Sequence, residues 1–254
     1  MLKADPTTGL APPIAKEKPR DRELSPDEIA HLWAALERAP TQRRLAPKGH
    51  ARGEKLAGDG DVKMTRATAL AMKLSLVTAQ RIGEVAGIAI AELDLNDLNP
   101  VWTVPAERSK NGRPNRVPLS PLALQLIREA RALAPNSPWL FPGASGLAPM
   151  DPHAATKALG RAREAIGLPD FRVHDLRRTA ATRMAEIGIN PHTISLVLNH
   201  VSARAGTVTS KVYVQYSYDR EKREALGAWG ARLQSIIDGN ARSNVIALSN
   251  ATLA

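Results

Sequence analysis

The chain of 254 residues contains no cysteine. This excludes disulfide bonds, a thiolate nucleophile and any zinc site built on cysteine ligands. Long apolar runs are missing as well: no stretch of about 18 apolar residues occurs, and the N-terminus lacks the apolar core of a secretory signal. The sequence therefore predicts neither a membrane-spanning helix nor secretion, and we expect a cytoplasmic protein.

Tyrosine is scarce and unevenly placed. The chain has three tyrosines, and Tyr213, Tyr216 and Tyr218 all lie in the segment SKVYVQYSY at residues 210–218. A packed core would distribute its aromatic side chains over many elements. The clustering therefore raises the question of whether one of these phenols takes part in a reaction.

Acidic residues are outnumbered by basic ones. The chain has 25 Asp and Glu against 35 Lys and Arg, which gives a formal charge of +10. This balance is typical of a protein with a polyanionic partner, most often nucleic acid, although a basic protein without such a partner has the same composition. The length and the 43% share of apolar residues allow one large or two small domains with a buried core.

Local signals divide the chain into three parts. Residues 1–22 contain four prolines and little apolar periodicity, which indicates a linker or a remnant N-terminal segment. The folded domain is predicted over residues 23–237. It opens on a helix with Ser25 as the N-cap, Pro26 in the first turn and Glu28 completing a capping box. Residues 238–254 are expected to form a flexible tail.

The folded part is predicted to be α+β, mainly α-helical with a small three-stranded antiparallel sheet. Three short segments between Ile88 and Ser120 alternate like strands and are separated by turn residues: IAIAELDLN, VWTVPAE and NRVPLS. Capping residues, prolines and helical spacing predict the other elements. These further helices are expected at about 62–80, 82–88, 120–134, 151–166, 174–187, 191–198 and 219–237.

Two short motifs place basic side chains at helix starts. In TAQRIGEV, Arg81 and Glu84 are three residues apart and share a helix face. In VHDLRRTAATRM, His174 and Arg177 share a face near a helix N-terminus, where free N–H groups favour anions, while Arg178 points elsewhere. The second motif indicates a phosphate site. Taken alone, however, each motif is more often a solvated ion pair or a capping histidine.

A basic hairpin and a histidine complete the candidate set. The turn RSKNGRPNRVPLS carries Lys110 between two predicted strands, with Arg108, Arg113 and Arg116 around it. Such a hairpin can contact a nucleic-acid backbone, but most are solvated sheet edges. His200 follows a helix C-terminus, where a lone histidine is usually structural. The six histidines are dispersed without metal-binding spacing, so no metal site is predicted.

The order of the motifs is more specific than any one of them. The chain contains, in sequence, TAQRIGEVAGI, a lysine in a β-turn, HDLRRTAAT, LNH and a tyrosine thirteen residues further on. This set resembles the catalytic domain of tyrosine recombinases, the phage integrase family, from about Arg22 to Leu233. The ending VYVQYSYDREKREALGAW resembles integrases of P4-like prophages and genomic islands. The resemblance implies the tyrosine recombinase catalytic-domain fold and a role in integrating or excising a mobile element.

The resemblance also implies roles around a scissile DNA phosphate. Arg81 and Arg177 would bind the non-bridging oxygens and stabilise the charge of the transition state. Glu84 would orient these donors, and His200 would hydrogen-bond the phosphate. The arginines named as further DNA contacts are Arg108, Arg113, Arg116 and Arg178. No metal or other cofactor is implied.

Proton transfer and nucleophilic attack complete the implied chemistry. Lys110 would protonate the departing 5′ oxygen, and His174 would assist proton transfer. Alignment of the ending places Tyr213 at the nucleophile position, where it would form a 3′-phosphotyrosyl intermediate. Tyr216 is the second candidate for the nucleophile. Tyr218, like Tyr216 on the first assignment, is expected to pack or to contact the DNA backbone.

The chain departs from the family pattern at two places. Many members carry Leu-Gly-His where this chain has Leu198-Asn199-His200, but asparagine tolerates a left-handed backbone and the turn should survive. Integrases of this kind also carry DNA-binding domains before the catalytic domain, and no such sequence precedes Arg22. We therefore expect a fragment, a shortened reading frame or an isolated catalytic domain.

The expected partners follow from the resemblance. They are double-stranded DNA containing attachment sites, further copies of the chain in a homotetrameric synapse, and an accessory DNA-bending or excisionase protein, with no membrane. Two alternatives are kept: a DNA-binding remnant without catalytic activity, and an enzyme that relaxes DNA in the manner of type IB topoisomerases. The P4-like ending argues against the second alternative.

Overall fold

The computed structural model describes residues 21–40, 62–168, 170–200 and 217–240. In these ranges the helices are α1 (Pro26–Glu37), α2 (Arg66–Thr78), α3 (Ile82–Ala86), α4 (Pro121–Leu133), α5 (Pro152–Ile166), α6 (Val173–Glu186), α7 (Pro191–Val197) and α8 (Asp219–Ile237). The strands are β1 (Leu93–Asp94), β2 (Val101–Val104) and β3 (Asn115–Pro118). The predicted class, mainly α-helical with a three-stranded antiparallel sheet, is confirmed. The domain limits at 22 and 237 stay predictions, since much of the predicted linker and tail lies outside the described residues.

The helix starts follow from local capping chemistry. At α1 the Ser25 hydroxyl accepts from the Glu28 N–H, and the Glu28 carboxylate accepts from the Ser25 N–H, which is the predicted capping box. Ser120, Asp151 and Asn190 cap α4, α5 and α7 in turn, each followed by proline. None of the described helices is long and apolar enough to cross a membrane.

The sheet is a small antiparallel meander. Its strand order is β1-β2-β3, and the buried Trp102 of β2 pairs with Leu93 on one side and Val117 on the other. The predicted first strand is too long, because Ile90–Glu92 forms a 3-10 turn and β1 has two residues. The connection between β2 and β3, residues 105–114, carries Lys110.

Helix α2 is the centre of the core. Every residue from Thr68 to Thr78 is buried, and the helix packs against α1, α4, α5, α6 and α8. Its buried lysine, Lys73, forms an ion pair with Glu37 and lies over the ring of Trp33. The helix is capped at its C-terminus by Ala79, whose left-handed φ of 56° ends the helical run. Gln80 and Arg81 follow this turn directly and precede α3.

Candidate active site

Arg81 lies just after that turn, at the N-cap of α3. The buried Glu84 carboxylate accepts one hydrogen bond from the Arg81 backbone N–H and one from its Nη1, both at 3.0 Å. The Arg81 side chain stays about a quarter exposed, at 25%. The carboxylate therefore orients a guanidinium that still faces outward, and the contact expected from the three-residue spacing is present. Its part in catalysis stays a prediction.

Arg177 lies on α6 and is buried, with 4% of its surface exposed. Its Nη1 donates to the carbonyl of Ala79 at 2.8 Å and its Nη2 donates to the carbonyl of Leu198 at 2.5 Å. These bonds join α6 to the segments that precede Arg81 and His200. They use two of the five N–H donors of a guanidinium, and no described residue accepts from the other three. A ligand can use those donors.

The charge at this place is incompletely balanced. Burial and, to a smaller extent, the positive charge of Arg81 lower the pKa of Arg177, Glu84 acts in the opposite direction, and the result is a pKa of about 10. Among the described residues, Glu84 is the carboxylate that acts on this pair of guanidiniums. A buried cation that still lacks charge compensation is stabilised by a bound anion. The arrangement therefore favours an anionic group such as a phosphate.

Two histidines belong to the same electrostatic cluster. His174 is the second residue of α6, one turn before Arg177, and His200 follows α7. Burial lowers the pKa of each imidazole, and the charges of Arg177 and Arg81 lower it further. Both side chains therefore favour the neutral form near pH 7 and can accept a proton. The structure brings together four of the predicted site residues.

We expect anion binding to reverse the pKa shifts of these histidines. In the free protein, the free energy of unfolding is expected to decrease as the pH drops below 6.5, the ordinary pKa of histidine. The reason is that the histidines of the unfolded chain bind protons at a higher pH than those of the folded protein. Saturating sulfate, which does not titrate in this range, should raise the pKa of His174 and His200 by bringing a negative charge beside them. NMR titration of the imidazoles with and without sulfate measures the effect. The variants His174→Asn and His200→Asn assign the signals. Unchanged titration in sulfate would show that no anion site exists here.

Lys110 lies on the exposed turn between β2 and β3. The turn is fastened to the segment before His200, because the Asn111 amide donates to the Asn199 carbonyl at 2.8 Å and the Asn199 amide donates to the Ser109 hydroxyl at 3.1 Å. The structure therefore places the turn that bears Lys110 beside the histidine side of the cluster. The proton-donating role of Lys110 stays a prediction.

The four arginines expected to contact DNA differ in their surroundings. Arg113 is exposed on the turn. Each of the others has an acidic partner: Arg178 with Asp175 at 3.2 Å, Arg116 with Asp219 at 2.6 Å, and Arg108 with Glu92 at 2.5 Å. The first pair has the helical spacing of three, and the other two join residues distant in the sequence. Their contacts with DNA stay predictions.

Arg108 also contacts α3, the short helix that carries Glu84. Its Nη1 donates to the Glu84 carbonyl at 3.1 Å and occupies the space beside Gly87. A Cβ at Gly87 would lie 2.4 Å from that nitrogen, so the glycine is needed for this close approach. Arg108 thus fixes the helix that carries Glu84.

Sequence reasoning missed a buried amide next to Arg81. Gln80 is fully buried, donates to the carbonyl of Val197 at 2.9 Å and accepts from the amide of Asn115 at 3.1 Å. It connects the segment before Arg81 to α7 and to β3. The signal available in the sequence was a polar residue directly beside a predicted functional one, which propensities alone do not distinguish from a surface glutamine.

Of the three tyrosines, Tyr213 and Tyr216 lie outside the described residues. Tyr218 caps α8 with a left-handed φ of 55°, and its ring meets the ring of His192 edge to face at 5.7 Å. This is a packing contact, one of the two roles expected for Tyr218; a contact with the DNA backbone stays a prediction. The described residues contain no cluster of three or more histidine, aspartate or glutamate side chains that could hold a metal ion.

The start of α8 is anchored to the sheet. The buried Lys222 donates its ammonium to the Arg116 carbonyl, and Asp219 pairs with the Arg116 guanidinium. These contacts hold the chain directly after residues 201–216. The point at which that segment rejoins the described fold is therefore fixed by β3.

Comparison with known proteins agrees with this geometry. The model of the phage integrase family matches residues 59–220. Prophage integrase IntZ of Escherichia coli strain K12 is 31% identical over 172 residues, which cover 67% of this chain and 40% of that protein. Tyrosine recombinase XerC of Mesorhizobium japonicum is 35% identical over 127 residues, covering 48% and 39%. The chain thus spans about 40% of the length of these relatives.

Solved structures show the same fold. The integrase from mycobacterium phage Brujita aligns with a TM-score of 0.56 at 19% identity, covering 87% of this chain and 65% of that one. The XerH site-specific recombinase, in its pre-cleavage complex with difH substrate, aligns with a TM-score of 0.52 at 19% identity, covering 75% and 49%. The family model covers more than half of the chain and includes every predicted catalytic residue. The chain therefore belongs to the phage integrase family of tyrosine recombinases.

Proposed function

We propose that this chain is the catalytic domain of a site-specific DNA recombinase that integrates or excises a mobile element through a 3′-phosphotyrosyl intermediate. The observation that carries the proposal is the cluster of Arg81, Arg177, His174 and His200. Among the described residues, Glu84 is the carboxylate that acts on the two guanidiniums, and Asp175 acts on His174. Within the described part of the chain, this cluster has guanidinium donors without an acceptor and more positive than negative charge on the arginine pair. A scissile phosphodiester supplies the missing negative charge.

The chemistry follows from those donors. Arg81 and Arg177 bind the non-bridging oxygens, whose charge increases as the phosphorus becomes pentacoordinate. The phenol oxygen of Tyr213 attacks phosphorus and loses its proton, with His174 as the acceptor. The bond from phosphorus to the 5′ oxygen breaks, and Lys110 protonates that oxygen. One phosphoester bond forms as one breaks, so the intermediate retains the energy needed to rejoin a strand.

The partners belong to the same proposal. Double-stranded DNA with attachment sites is the substrate, and a homotetramer is the assembly that exchanges strands. Structures of lambda integrase support this by fold: one is a dimer bound to a COC′ core site (TM-score 0.50, 22% identity), another a tetramer bound to a Holliday junction (TM-score 0.51, 20% identity). The accessory protein and the P4-like branch remain predictions.

A covalent trapping experiment tests the function. The protein is incubated with a library of nicked duplexes whose core sequence is randomised, and products that survive denaturation are recovered and sequenced. We expect adducts that share a sequence motif, because the nick lets the short 5′ end diffuse away before religation. DNA binding without any adduct would support a non-catalytic remnant. Adducts without sequence preference, together with relaxation of supercoiled plasmid, would support topoisomerase-like activity.

A further inference from the structure

Asn199 has more contacts than a turn residue requires. Its backbone is left-handed, with φ of 49°, and its side chain is buried at 4% exposure. The Nδ2 group donates to the Ser109 hydroxyl at 3.1 Å, to the Asn111 carboxamide oxygen at 3.3 Å and to the Arg113 carbonyl at 3.4 Å. The Asn111 amide returns a bond to the Asn199 carbonyl at 2.8 Å. Asn111 and Asn199, which are 88 positions apart in the sequence, are therefore joined by hydrogen bonds in both directions.

These bonds connect the Lys110 turn to the rest of the site. Within the part of the chain that the structure describes, Asn199 is the only residue outside the hairpin that hydrogen-bonds residues 109–113. Before Asn199 in the sequence, the Leu198 carbonyl accepts a hydrogen bond from the Arg177 guanidinium. After Asn199 comes His200. A single three-residue segment thus contacts Arg177, carries one histidine and fastens the turn that bears Lys110.

We infer that Asn199 is a positioning residue that sets where Lys110 delivers its proton. The inference depends on the proposed function, in which Lys110 protonates the departing 5′ oxygen. General acids act only within hydrogen-bond reach of the atom they protonate. The Ser109 hydroxyl and the Arg113 N–H donate to the Asn111 carboxamide oxygen, which shapes the turn from inside. These internal bonds do not link the turn to Arg177 or His200, so its position relative to them depends on a contact from outside the hairpin. The Asn199 amide provides that contact.

The backbone and side-chain roles of Asn199 can be separated. Glycine adopts a left-handed backbone without strain, so Asn199→Gly keeps the turn before His200 and removes only the amide. Alanine would add backbone strain and confuse the two roles. Asn190→Gly is the matched control, because Asn190 caps the other end of α7 and has no contact with the hairpin. Replacing an asparagine cap by glycine has little effect on stability.

Cleavage rates of two duplexes with different leaving groups distinguish positioning of Lys110 from a general loss of structure, which would slow both reactions. A duplex with sulfur in place of the bridging 5′ oxygen releases a thiolate, and thiols have a pKa of about 8.5, so little protonation is needed. On the ordinary duplex we expect Asn199→Gly to slow single-turnover cleavage by up to about 100-fold, the effect of a catalytic group misplaced by about 1 Å. On the sulfur duplex it should cleave within about threefold of the wild-type rate, as should Lys110→Ala.

The outcomes are distinct. Arg177→Lys should be slow on both duplexes, since it acts on the non-bridging oxygens. Equal losses on both duplexes for Asn199→Gly, or wild-type cleavage of the ordinary duplex, would overturn the inference while leaving the proposed function intact. If the wild-type protein cleaves neither duplex, the proposed function fails and the inference with it. Thermal melting of each variant confirms that cleavage is compared between folded proteins.

Discussion

Replacing Arg177 by lysine is expected to lower the rate of DNA cleavage by about a hundredfold to a thousandfold. The native guanidinium holds the carbonyls of Ala79 and Leu198 and still has donors for a phosphate. A lysine ammonium is a single point charge on a flexible stem, so it cannot hold both carbonyls and present a planar pair of donors together. DNA affinity should change little, because most of it comes from phosphate contacts spread over the basic surface.

The measurement is single-turnover cleavage together with binding at two salt concentrations. Arg183→Lys is the matched control: it lies on the same helix, and its guanidinium also donates to a backbone carbonyl, that of Leu24, at 2.9 Å. It is far along α6 from the cluster and should cleave at close to the wild-type rate. If Arg177→Lys loses binding and cleavage in equal measure, the residue is a DNA anchor and not a catalytic one.

Replacing Tyr213 by phenylalanine is expected to abolish covalent attachment to DNA, with a loss of at least about a thousandfold. Phenylalanine keeps the ring and removes the only atom that could bond to phosphorus. Tyr218 is the N-cap residue of α8, and its ring packs against the ring of His192. Tyr216→Phe and Tyr218→Phe are therefore expected to keep cleavage within a few fold of the wild-type rate.

The three variants test the assignment against its alternatives. All three change a phenol to a phenyl ring within six residues, so they match one another in size and polarity. Adducts are counted on denaturing gels with a labelled nicked duplex. An adduct that persists in Tyr213→Phe and disappears in Tyr216→Phe would move the nucleophile to Tyr216.

Local chemistry explains what the sequence could predict. The helices α1, α4, α5 and α7 each start at a capping residue that is followed by proline. At each start, the residues that signal the helix lie within one stretch of about four residues. The contact between Arg81 and Glu84 likewise follows from a spacing of three. Such features need no knowledge of the tertiary structure.

Tertiary contacts explain the rest. The partner of Arg116 is Asp219, which is 103 positions away, and the Asn199 amide reaches Ser109 across 90 positions. The periodicity of a sequence does not show which distant polar residue will lie next to a given side chain after folding. The first strand was overestimated for a related reason: the Glu92 carboxylate accepts from Trp102 and Arg108, and its own segment forms a 3-10 turn. The role of Lys110 came from the family resemblance alone.

The most direct test of the central claim is to locate the attachment on the protein. Wild-type protein is trapped on a nicked duplex, the DNA is digested, and trypsin releases residues 212–220, VYVQYSYDR, which contain all three tyrosines. Fragmentation in a mass spectrometer then identifies the modified residue. We predict a nucleotide joined through its 3′ phosphate to Tyr213. Attachment at Tyr216 or Tyr218, or a 5′ linkage, would contradict the proposed mechanism.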